Sequence, residues 1–79
     1  MAGQTPKISN TQLLREVYLS PDPIVTATEI AERLEYSRQA INYRFTRLAE
    51  EGLLHRREVG ARATVYWLGD AGERQILSA

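Results

Sequence analysis

The chain has 79 residues, no cysteine and a formal net charge of zero, with ten basic residues against ten acidic ones. That length suits one small domain, and the missing cysteines exclude a disulfide framework and a cysteine-ligated zinc site. The longest unbroken apolar run is Val65 to Leu68, far short of the ~20 residues of a membrane-spanning helix, and no basic-then-apolar leader stands at the N-terminus, so the sequence reads as a soluble cytoplasmic protein.

Residues 1–8 lack periodicity and contain Pro6, so a flexible arm is expected there, followed by one domain over residues 9–79. Ser9 and Gln12 have the spacing of a capping box, in which each side chain satisfies the other residue's free backbone donor. Leu13, Leu14, Val17 and Tyr18 then form a helical stripe. Pro21 and Pro23 end that helix near Ser20. Ile24 and Val25 make a short β-prone piece. Thr26 and Glu29 form a second capping box, opening a helix through Ala27, Ile30, Ala31 and Leu34. Glu35-Tyr36-Ser37 interrupts it, and Ser37 is a suitable N-cap for the next helix. That third helix runs to about Glu51, with Gly52 as its stop. Two helices about three residues apart have helix-turn-helix spacing. LLHRREV and TVYWL around Gly60 read as a hairpin. Asp70 and Glu73 suggest a third capping box before a short helix carrying Ile76 and Leu77.

The third helix has two unlike faces. At about 100° per residue, Ile41, Phe45 and Leu48 share a core stripe. Gln39, Asn42, Tyr43 and Thr46 lie on the far side, with Arg47 at the flank and Arg38 in the first turn. Amide and guanidinium groups on an exposed helix match the donor and acceptor pattern of base edges in a DNA major groove, Asn or Gln to adenine and Arg to guanine. Tyr43 suits a phosphate or a thymine methyl. Ser37 and the free amides of the helix N-terminus suit a phosphate. The bland alternative is a solvated polar face. The hairpin favours the first reading, and residues 37–62 hold six Arg against three Glu while both flanks are net acidic. Arg62 sits at the hairpin tip, where it can follow a phosphate backbone or enter a minor groove. Arg56 and Arg57 point to opposite faces of a strand, so at most one shares that side.

The string TATEIAERLEYSRQAINYRFTRLAEEGLLHRREVGARATVYWLGDAG resembles the winged helix-turn-helix domains of MarR-type transcription regulators and of short archaeal and phage repressor-like proteins. RLAEEGLL is similar to the end of the family's recognition helix, and YWLGDAG to its second wing strand and the start of its last helix. The resemblance covers about residues 9 to 78. It implies a small α+β winged helix-turn-helix fold: a three-helix core, a two-stranded wing hairpin plus a short strand, and a short C-terminal helix. It also implies that residues 38 to 47 enter the major groove. Arg38, Gln39, Asn42, Tyr43 and Arg47, with Thr46, then stand at the recognition positions, and the wing around Arg62 meets backbone or minor groove. Full-length regulators of this type carry further helices that build a dimer and a ligand pocket. This chain begins almost at the first helix and stops after one short final helix, so no small-molecule pocket is expected.

Other residues have plainer readings. Tyr66 and Leu68 share the core face of their strand, while Val65 and Trp67 face the other way. Trp67 either packs under the first helix, the favoured reading, or anchors a partner. His55 lacks the companions of a catalytic base or a metal ligand and reads as a phosphate contact or an exposed strand residue. Glu29 and Asp70 are accounted for by capping, and Glu50 and Glu51 by a solvated helix end. With no Gly-rich phosphate loop and no nucleophile motif, neither enzyme activity nor a cofactor or metal is expected. The expected function is sequence-specific binding of double-stranded DNA as a homodimeric transcription regulator acting as a repressor. The alternative is a winged-helix protein-interaction module without DNA binding, which zero net charge supports, with Trp67, Tyr18 or Tyr43 as anchors. RNA binding has less support, because no aromatic pair stands in a base-stacking strand pattern.

Overall fold

The computed structural model describes residues 8–60 and 63–78. Its elements follow in the order α1 (Asn10–Leu19), α2 (Ala27–Leu34), α3 (Arg38–Glu50), β1 (Leu54–Val59), β2 (Ala63–Leu68) and α4 (Asp70–Ser78). This is the α+β winged helix expected from the sequence.

Local chemistry sets the helix ends. Ser9 Oγ accepts the Gln12 amide at 3.1 Å, and Gln12 Oε1 accepts the Ser9 amide at 3.0 Å. The same reciprocal pair opens α2, where Thr26 Oγ1 accepts the Glu29 amide at 3.1 Å and Glu29 Oε1 accepts the Thr26 amide at 2.8 Å. Each box satisfies two donors that a helix N-terminus leaves open. α1 stops with Ser20 as its C-cap, directly before Pro21. α2 stops through Glu35, a non-glycine residue in the left-handed region at φ 60°. The turn closes when the Tyr36 amide donates to the Ala31 carbonyl at 2.9 Å. α3 ends at Glu50, with Gly52 at φ 81° beyond it. The Leu53 amide reaches back to the Leu48 carbonyl at 3.0 Å, the wrapping bond of a left-handed C-terminal motif, which glycine adopts without Cβ strain.

The start of α4 differs from expectation. Asp70 is already the first helical residue, and the Glu73 amide donates to the Gly69 carbonyl at 2.9 Å. Gly69 is therefore the cap, and Asp70 and Glu73 do not form a box. Both acids lie in the first turn, where negative charge meets the positive end of the helix dipole. The helix starts early because Gly69 is pinned, its amide donating to the Leu53 carbonyl at 3.1 Å. Gly72 then lies directly against Leu53: a Cβ there would overlap the Leu53 carbonyl oxygen. α4 thus packs backbone to backbone on the α3–β1 connection.

The hairpin is antiparallel, pairing Leu54 with Leu68, His55 with Trp67, Arg56 with Tyr66, Arg57 with Val65, Glu58 with Thr64 and Val59 with Ala63. The β-prone Ile24-Val25 piece supplies a third edge. Val25 and Tyr66 exchange both backbone hydrogen bonds, at 2.9 and 2.8 Å. β2 is therefore central and ties the α1–α2 connection to the wing.

Every element contributes to one core. Leu13, Leu14 and Val17 of α1 meet Ala27, Ile30 and Ala31 of α2, Ile41, Phe45 and Leu48 of α3, and Val25, Leu54, Tyr66 and Ile76. The rings of Phe45 and Tyr66 meet edge to face with centroids 5.0 Å apart, a geometry that adds about 0.5–1.5 kcal/mol beyond area burial. The alternation expected for β2 holds in part. Tyr66 is buried and Leu68 packs against the core, but Val65 and Trp67 are half-buried instead of open. Trp67 shares a small groove with Val17 and Tyr18 of α1, Pro23, Leu68 and Glu73, in keeping with packing under the first helix. Of the expected N-terminal arm, Ile8 falls among the described residues. It is held by its amide, which donates to Tyr36 Oη at 3.0 Å, and by its carbonyl, which accepts from Arg44 Nη2 at 2.7 Å.

Candidate nucleic-acid interface

α3 is positioned by its buried stripe. Ile41, Phe45 and Leu48 are buried, which turns Gln39, Asn42, Tyr43 and Arg47 outward. Ser37 caps the helix, its Oγ accepting the Ala40 amide at 3.0 Å. That hydroxyl keeps its own proton for another acceptor.

The outward residues fall into two groups. Arg38, Gln39 and Asn42 line an open cleft of about 670 Å³. Thr26, Ala27 and Thr28 from the start of α2, and Ala63 and Thr64 from the start of β2, complete its walls. Among the described residues the Arg38 and Gln39 side chains have no bonding partner, so their donors and acceptors are open to a ligand. Tyr43, Thr46 and Arg47 do not line this cleft. Tyr43 is 62% exposed, and its hydroxyl accepts a long bond from Arg47 Nη1 at 3.5 Å. Arg47 also faces Glu50 at 3.9 Å, an exposed i, i+3 pair of little energetic weight. Thr46 is half-buried, and its hydroxyl donates to the Asn42 carbonyl at 2.8 Å. Arg62, the expected tip of the wing, lies outside the described residues.

The basic residues divide by role. Arg44 reaches Ile8 O and Asn10 Oδ1, at 2.7 and 2.9 Å, so its charge holds the lead into α1. Arg57 pairs with Val65, on the face of the hairpin away from Tyr66. His55 shares that face, its ring 5.4 Å from Trp67. It is an exposed strand residue turned away from α3. Arg56 lies on the α3 side, opposite Tyr66. The Tyr66 hydroxyl, offset in part by burial, and then the Glu58 carboxylate at 3.5 Å, hold the Arg56 guanidinium above its ordinary range. Strand alternation left Arg56 and Arg57 equivalent, and the pairing with the buried Tyr66 selects Arg56.

Thr26, Thr28 and Thr64 were not singled out in the sequence as site residues. Thr26 was legible as a cap, and neither of the others carries a local signal. They join the site because the α2 N-terminus and the first residues of β2 converge beside α3. Among the described residues no three His, Cys, Asp or Glu side chains cluster in a way that holds a metal, and no helix is long and apolar enough to cross a membrane. The cleft offers hydroxyls, amides and one open guanidinium, a set that binds by hydrogen bonding and charge.

Two solved structures are similar to the chain in shape. A crystal structure of a MarR family transcription regulator superposes with a TM-score of 0.72 at 29% identity, over 90% of this chain and 48% of that one. The YusO protein from Bacillus subtilis gives 0.70 at 25% identity, over 90% of this chain and 54% of its own. The chain therefore spans about half the length of these relatives. No curated protein gives a significant match. The model of the MarR family matches residues 5–63, from the lead into α1 to the start of β2, so the chain belongs to the MarR family.

Proposed function

We propose that the chain binds double-stranded DNA with sequence specificity, as the DNA-reading domain of a cytoplasmic transcription regulator that represses by occupancy. The observation that carries this reading is the cleft between the α2 N-terminus, the outward face of α3 and the start of β2. α3 lies in the major groove, with Gln39 and Asn42 toward base edges. Arg38, Ser37 and the hydroxyls of Thr26 and Thr28 fix the register on phosphate oxygens. Tyr43 and Arg47 follow the neighbouring strand, and the wing around Arg62 follows the backbone. Two relatives that superpose over most of the chain, one of them described as a transcription regulator, support the assignment.

The acting unit is a homodimer. Tyr18, Leu19 and Leu77, on the mutually packed helices α1 and α4, are exposed, Leu77 by 70%, and exposed large apolar side chains there suit association with a second copy. Selection from a random duplex pool at near-physiological salt tests both claims. An enriched motif with two-fold symmetry is expected. A pool that emerges unenriched would remove the DNA reading and leave the protein-interaction alternative in its place.

A further inference from the structure

Tyr66 is the largest fully buried side chain of the core. Its ring packs on Phe45, yet its hydroxyl emerges beneath the outward face of α3. Tyr66 Oη donates to Asn42 Oδ1 at 3.2 Å, and Thr46 Oγ1 lies 3.5 Å from the same hydroxyl.

The hydrogen bonds assign each proton in this cluster. The Thr46 proton is committed to the Asn42 carbonyl at 2.8 Å, so toward Tyr66 the Thr46 oxygen is an acceptor. The Tyr66 proton goes to Asn42 Oδ1, the nearer of its two acceptors. That bond holds the Asn42 amide with its oxygen inward and its NH₂ outward, toward the cleft that Asn42 lines. One lone pair of Oδ1 stays open.

Resting on the DNA-binding reading above, we infer that the Tyr66 hydroxyl fixes which end of the Asn42 amide the DNA meets, and so sets base preference at that position. Tyr66 is a positioning residue that never touches the DNA. An untethered amide presents either end and discriminates poorly. A tethered one offers its donors with the remaining lone pair beside them, the pattern that matches adenine.

The test compares the chain with Tyr66→Phe and Asn42→Ala by selection from a random duplex pool, together with ¹⁵N NMR of the Asn42 side-chain amide without DNA. Tyr66→Phe keeps the ring on Phe45, and a thermal melt checks the fold. Asn42→Ala identifies the base pair that Asn42 reads. Tyr66→Phe is expected to lose roughly tenfold discrimination at that same pair, a factor within the range of one bidentate contact, with other positions unchanged. The Asn42 amide should be rigid in the parent chain and mobile in Tyr66→Phe. If the parent chain enriches a motif that Tyr66→Phe reproduces, the inference is overturned and the DNA reading stands. The same holds if the Asn42 amide is already mobile in the parent chain, or if Tyr66→Phe weakens all positions equally. If the parent chain enriches no motif, both fall together.

Discussion

At the scale of single residues, like side chains have unlike roles because the fold gives them different neighbours. Arg38 and Arg44 stand six positions apart on α3. Arg38 opens into the cleft, whereas Arg44 is half-buried on the Ile8 carbonyl and the Asn10 side chain. Arg38→Ala should weaken binding to every duplex and lower the slope of log affinity against log salt by about one. Fluorescence titration at several salt concentrations measures both, and an unchanged slope would take Arg38 off the phosphate. Arg44→Ala should do the reverse. It loses two charge-assisted bonds at a partly solvated site, about 1–2 kcal/mol of stability, with no change in salt slope. A urea melt beside the same titration reads the contrast.

At the scale of elements, the contact between α4 and the α3–β1 connection is a close backbone approach that constrains the fold. Gly72 lies against the Leu53 carbonyl with Leu68 Cδ1 beside it, 3.0 Å from where a Cβ would stand. Gly72→Ala forces α4 outward and should cost about 1–3 kcal/mol, the usual range for overpacking a filled site, although alanine is the better helix former. Thermal melting would show it, and a melting point at or above that of the parent chain would mean that α4 can shift without loss. The early start of α4 has the same origin. Asp70 and Glu73 fit a capping box by spacing, but the bond from the Gly69 amide to the Leu53 carbonyl sets the chain's direction one residue sooner.

At the scale of the whole molecule, the sheet separates two surfaces. Tyr66, Arg56 and Thr64 face α3 and the cleft. Trp67 and His55 face the other way, with Trp67 in the groove beside Val17, Tyr18 and Pro23. Apolar residues left open on α1 and α4 suit pairing of two copies, which would present two α3 helices to half-sites about one helical turn apart. Sedimentation over a concentration series should show a monomer–dimer equilibrium, with a melting temperature that rises with concentration. Leu77→Glu should shift the equilibrium toward monomer. A single monomeric species throughout, together with a motif lacking symmetry, would exclude the paired mode.

Element order, two capping boxes, the Pro stop after α1, the glycine stop after α3 and the core stripe of α3 were legible in the sequence. Each depends on residues within a turn or two of one another, and helical periodicity reports burial directly. The outward set on α3 was legible for the same reason. Three things were decided only by tertiary packing. Which of Arg56 and Arg57 faces α3 follows from the pairing of β1 with Tyr66 on β2. Arg44 was one of the six arginines counted between residues 37 and 62, yet it is spent on residues 36 and 34 positions away. The cleft itself joins Thr26 and Thr28, Asn42 and Thr64, side chains that no local pattern connects. Periodicity says which face of an element is buried. Only the packing of elements against one another says what stands opposite the face left open.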